Sequence, residues 1–71
     1  ENCDFLTDLL PKVSEIAYTE HTSGGGGVLV FRSERTGMYL FSKQEAQECE
    51  AFTLLGRLAA LVLTSGDVLR L

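Results

Sequence analysis

"VLVFRSERTGMYLFS", residues Val28 to Ser42, is the stretch on which the fold turns. Two runs, "VLVFRS" and "MYLFS", are rich in β-branched and aromatic residues, which suit a pleated, packed surface. Between them "ERTG" is polar and ends in Gly37, a residue free to take the positive φ that a tight connection needs. The stretch therefore predicts a β-hairpin. Val28, Leu29, Val30 and Phe31 leave no polar alternate, and neither do Tyr39, Leu40 and Phe41. Strands apolar on both faces are usually covered on both, and an isolated hairpin is not stable in water. The rest of the chain is then expected to cover each face and to lie along an edge. The tail "DVLRL" is a candidate third strand.

Downstream, residues 43–64 read as one long helix. Ser42 and Glu45 make the S-x-x-E capping box, and Gly66 stands where a left-handed cap belongs. From Lys43 to Glu50 this helix is polar almost all round. From Ala51 to Leu63 only Thr53, Gly56 and Arg57 interrupt the apolar surface. A helix apolar on most sides is buried on most sides, and 71 residues hold little material to enclose it. Two readings follow: packing against the hairpin and the first helix, or cover by another subunit. On the second reading Leu55, Leu58 and Val62 form the flank left exposed in a monomer, and pairing of hairpin edges or helix faces across a two-fold axis would cover them.

Upstream, "NCDFLTDLL" (residues 2–10) has Phe5, Leu6, Leu9, Leu10 and Val13 at helical spacing. Asn2 or Asp4 is a suitable cap, and Asp4 and Asp8 suit the positive helix N-terminus. Pro11 stops or kinks that helix. Beyond it, residues 13–22 fit either period. The reading adopted is helix to about Ala17 with an extended end, although Ile16 and Tyr18 alternate with polar neighbours as in a strand. "LTDLL" (Leu6–Leu10) also fits L-x-x-L-L. It resembles the helical motifs by which transcriptional activators and coactivators dock into apolar grooves. Phe5, Leu6, Leu9 and Leu10 are interface candidates on that ground, beside Leu55, Leu58 and Val62.

Between these parts lies "SGGGG", residues 23–27, a composition shared by native loops, engineered linkers and loop replacements. The charge changes across it. Residues 1–22 hold five acids against Lys12, and residues 28–71 balance five acids with five bases, so the whole net charge of −4 lies on one side. The expected architecture is α+β: an acidic amphipathic helical segment (1–22), a flexible junction (23–27), then an antiparallel hairpin and a long C-terminal helix packed on the sheet (28–71), with 1–22 and 28–71 forming one domain. The order helix–strands–helix resembles the small Alu-binding subunits of the signal recognition particle, a basic family where this chain is acidic. "MYLFSKQEAQECEAF" resembles the last strand and C-terminal helix of pleckstrin-homology or EVH1 domains, over about a fifth of the chain.

Chemistry-bearing residues are few. His21, Cys3 and Cys49 are the only His and Cys residues and lack the spacing of a zinc site. The two cysteines admit a disulfide closing a long loop, but the expectation adopted is free, buried thiols, since Cys49 sits among Glu45, Glu48 and Glu50. That implies a cytoplasmic or nuclear setting. No G-x-S-x-G and no phosphate loop is present. The expectation is a non-enzymatic protein-interaction module without cofactor or metal, a dimerising or heteromeric adaptor subunit with a protein partner or itself. The acidic balance disfavours nucleic acid, and the longest apolar run, Leu54–Leu63, is too short to span a membrane. The alternative is an RNA-binding module using Arg32 and Arg35 with Phe31 and Tyr39 on an exposed sheet face.

Overall fold

In a computed structural model, residues 3–20, 27–35 and 37–71 are described. Helix α1 (Asp4–Leu9) begins the chain, and a single 3₁₀ turn, Leu10–Lys12, follows it. Strands β1 (Glu15–Thr19), β2 (Val28–Ser33) and β3 (Gly37–Ser42) come next. Helices α2 (Lys43–Cys49) and α3 (Leu54–Ser65) and a two-residue strand β4 (Leu69–Arg70) complete it. The sheet is antiparallel with strand order β3-β2-β1-β4.

The hairpin is where the sequence places it, with Ser33 opposite Gly37 at its tight end and Gly37 at φ +93°. The tail supplies a strand on the far edge. Pro11 ends α1 and sits in the 3₁₀ turn, where its missing N–H costs nothing. Residues 15–19, expected to begin as helix, form a strand instead. Ile16 and Tyr18 point to the core while Glu15, Ala17 and Thr19 point away, so the period of two wins once β2 offers a partner. The proposed Asn2 cap and residues 21–26, with His21 and most of the junction, lie outside the described residues. Asp4 is the first helical residue rather than a cap. Gly27, the last of the glycines, lies under the Tyr18 ring, which a Cβ there would overlap.

The single helix expected over 43–64 is two helices. The capping box is present: the Glu45 N–H donates to Ser42 Oγ (3.1 Å), and the Ser42 hydroxyl donates to Glu45 Oε1 (2.9 Å). After Cys49 the chain turns, with the Phe52 and Thr53 N–H groups both donating to the Cys49 carbonyl. Thr53 takes an extended conformation and restarts the helix, its Oγ1 accepting from the Gly56 N–H at 2.9 Å. Gly56 is required by close approach, since a Cβ would overlap the Cys49 carbonyl. α3 ends at Gly66, in the left-handed conformation, whose N–H donates to the Val62 carbonyl.

Cys3 and Cys49 form a disulfide, with Cα atoms 5.6 Å apart, correcting the expectation of free thiols. It ties the start of α1 to the end of α2. Acidic neighbours were irrelevant, because the pair is buried and faces the core rather than the surrounding carboxylates. Around the bridge, Leu6, Leu9, Val13, Ile16, Leu29, Phe31, Phe41, Ala46, Leu55, Ala59 and Val62 make one core between the helices and one sheet face. No helix among the described residues is long and apolar enough to cross a membrane.

Candidate functional site

The helices cover only one face of the sheet, contrary to the expectation that both would be covered. The strand registers fix what the other face carries. Across the sheet, Arg70, Glu15, Arg32 and Met38 form one row, Ala17, Val30 and Leu40 a second, and Thr19, Val28 and Ser42 a third. The first row is ion-paired: Glu15 meets Arg32 Nε at 3.4 Å and Arg70 Nε at 3.5 Å. Such surface pairs contribute little stability, and they gather two guanidiniums and a carboxylate at one end of the face. The second row is wholly apolar. Leu40 is 68% exposed and Met38 58%, while Val28, Val30 and Ala17 are half-buried by their neighbours. The result is a contiguous apolar strip, bordered by charge, on a surface that nothing within the described chain covers.

The sequence-derived interface candidates are mostly elsewhere. Leu6 and Leu9 are buried and Leu10 half-buried against the core, so the L-x-x-L-L motif is a packing face rather than a presented ligand. Phe5 is half exposed and rests edge-on against Phe41, ring centroids 5.7 Å apart. Leu55 and Val62 are also core, and Leu58 is half-buried. The exposed stripe of α3 is the adjacent one, Leu54 and Leu61 flanking Leu58, with Phe52 beside it in the preceding turn.

The alternative nucleic-acid patch is not brought together. Phe31 points into the core, 1% exposed, and Tyr39, opposite it in register, is half-buried on the same side. Arg32 points to the open face, where it pairs with Glu15, and Arg35 lies in the β2–β3 turn with its N–H donating to Ser33 Oγ. Arg32 and the two rings therefore lie on opposite faces of the sheet, so a base stacked on a ring would not meet that guanidinium. Sequence reasoning missed Met38 and Leu40 as site residues. Their signal was present in "MYLF", but nothing local says which of two apolar faces the helices will take.

Among the described residues no group of three or more His, Cys, Asp and Glu side chains is placed to hold a metal. A groove lined by Pro11, Lys12, Ser14, Ser33, Glu34 and Arg35 runs beside the tight end of the hairpin; it contains neither a histidine nor a cysteine. No family model matches the chain, and neither the curated proteins nor the solved structures searched contain a match.

Proposed function

We propose that this chain is a protein-interaction module that works by binding rather than by catalysis, and that the open sheet face is its working surface. The observation that carries this reading is the strip Ala17–Val30–Leu40 with Met38 on the uncovered face of the four-stranded sheet, Met38 and Leu40 being exposed. Large exposed apolar side chains forgo about 1.5–3 kcal/mol each that burial would return, and contiguous patches of them mark binding sites. The paired row Arg70–Glu15–Arg32 gives the strip a charged rim, as interfaces commonly have.

The cytoplasmic or nuclear setting rested on free thiols, and with the Cys3–Cys49 bridge an oxidising compartment is the better-supported proposal. The test of the binding reading is selection of ligands from a displayed peptide library on the disulfide-intact chain. Ligands are expected to bind at least tenfold more weakly to Leu40→Lys, whose folding should be intact because the side chain is already in water. Selected ligands that bind both forms equally would overturn the assignment of the face. Tight, salt-sensitive RNA binding by the same chain would favour the nucleic-acid alternative.

A further inference from the structure

We propose that the chain pairs with a second copy of itself through the free edge of β3, extending the sheet across a two-fold axis. This rests on the reading of the chain as a protein-binding module and names its partner. The hydrogen-bond pattern decides which backbone groups of β3 are available. Ser14 N–H donates to the Arg32 carbonyl, and Leu71 N–H donates to the Ser14 carbonyl. The Ser14 carbonyl and the backbone of Ile16 therefore turn toward β4, and Glu15 and Arg32 turn theirs toward each other. Continuing the alternation across β2, Phe31 and Leu29 bond to β3, and Tyr39 and Phe41 receive them. The N–H and C=O groups of Met38 and Leu40 are left pointing outward, on the outermost strand, with no strand beyond them among the described residues.

An edge of this kind is normally protected by a charge, a proline, a bulge or a covering element. β3 reads "GMYLFS" and has no charge and no proline, and it pairs with β2 residue for residue without a bulge. Its two outward residues are also the most exposed apolar side chains of the open face. On the helix side, half-exposed Phe5 lies against Phe41, and Gly37 presents no side chain. The β3 edge is thus apolar on the open face, and on the helix side it carries Phe5, Phe41 and the half-buried Tyr39.

Only an extended backbone satisfies alternating donors and acceptors, and a second copy of β3 matches this edge in every respect. With Met38 opposite Leu40 of the partner, antiparallel about a two-fold axis at Tyr39, each N–H and C=O of both residues finds a reciprocal partner. The same register lays Met38 against Leu40 on the open face, twice. β3 itself carries no charge, so the net charge of −4 per copy is not placed on the paired strands. At each end the α2 start of one copy, with Lys43 and Glu45, comes beside the hairpin turn of the other, with Glu34 and Arg35.

The experiment is sedimentation equilibrium of the disulfide-intact chain from micromolar to millimolar concentration, beside Leu40→Lys, with amide hydrogen exchange on the same samples. The wild type is expected to be dimeric at high concentration, with the Met38 and Leu40 amides gaining at least tenfold protection as the dimer forms. Leu40→Lys is expected to stay monomeric with an unchanged circular dichroism spectrum. A wild type monomeric throughout would overturn self-pairing. If library ligands still bind it and fail on Leu40→Lys, the binding reading survives without it. A dimer that persists in Leu40→Lys, or leaves the β3 amides unprotected, places the contact elsewhere and likewise overturns the proposal.

Discussion

Reducing the Cys3–Cys49 bridge is the perturbation whose size follows most directly from the structure. The bond joins residues separated by 46 positions, and closing a loop of that length removes denatured-state entropy worth about 4 kcal/mol at 25 °C. A chain of this length holds about 4–11 kcal/mol of stability in total, so the bridge is a large fraction of it. The native contacts around it do not compensate: the reduced thiols would remain buried in the same core, but the unfolded chain would regain its freedom. The assay is urea unfolding followed by circular dichroism, with and without a phosphine reductant. With a slope of about 1 kcal/mol per molar, the midpoint is expected to fall by several molar, about 3–4 M. Thiol titration in denaturant should count none before reduction. Midpoints within about 0.5 M of each other, or free thiols in the untreated protein, would refute the reasoning that this small fold depends on the bridge.

Other perturbations separate the remaining parts of the argument. Thr53→Ala removes the acceptor for the Gly56 N–H and should cost about 1 kcal/mol, lowering the melting temperature by about 4–8 °C; Thr53→Ser should recover most of it. Gly56→Ala places a methyl group against the Cys49 carbonyl and should destabilise by about 1–3 kcal/mol, although alanine is the better helix former. Leu55→Ala, in the core, should cost about 2–5 kcal/mol in chemical denaturation. Leu40→Ala, measured where the chain is dilute, should stay within about 0.5 kcal/mol of wild type; equal losses at the two positions would mean the open face is not open.

The elements legible in the sequence are those whose cause is local. The hairpin follows from two β-rich runs around a polar turn. Gly37 and Gly66 take the left-handed conformation because no side chain opposes it, and Ser42 with Glu45 starts a helix by a bond three residues long. What escaped has a distant cause. Residues 15–19 fit both periods, and the strand that settles the matter, β2, lies beyond the glycine run. The break between α2 and α3 showed only as a change from polar to apolar character near Ala51; its physical origin is the Thr53 cap and the closeness of Gly56 to Cys49, which no spacing reveals. The disulfide depends on a separation of 5.6 Å between Cα atoms 46 positions apart. The open face was hidden for the opposite reason: strands apolar on both sides read as doubly covered, and one side proved to be surface. Met38 and Leu40 looked like core residues for that reason.

That one sheet face is surface can be measured directly by solvent paramagnetic relaxation of methyl groups in the dilute, disulfide-intact chain. Met38, Leu40 and Val30 are expected to relax strongly, while Leu6, Leu29 and Val62 stay silent. On raising the concentration, the Met38 and Leu40 signals should become protected and those of the core should not change. Protection of Met38 and Leu40 at every concentration would contradict the account, because some part of the chain itself would then cover the face assigned to a partner.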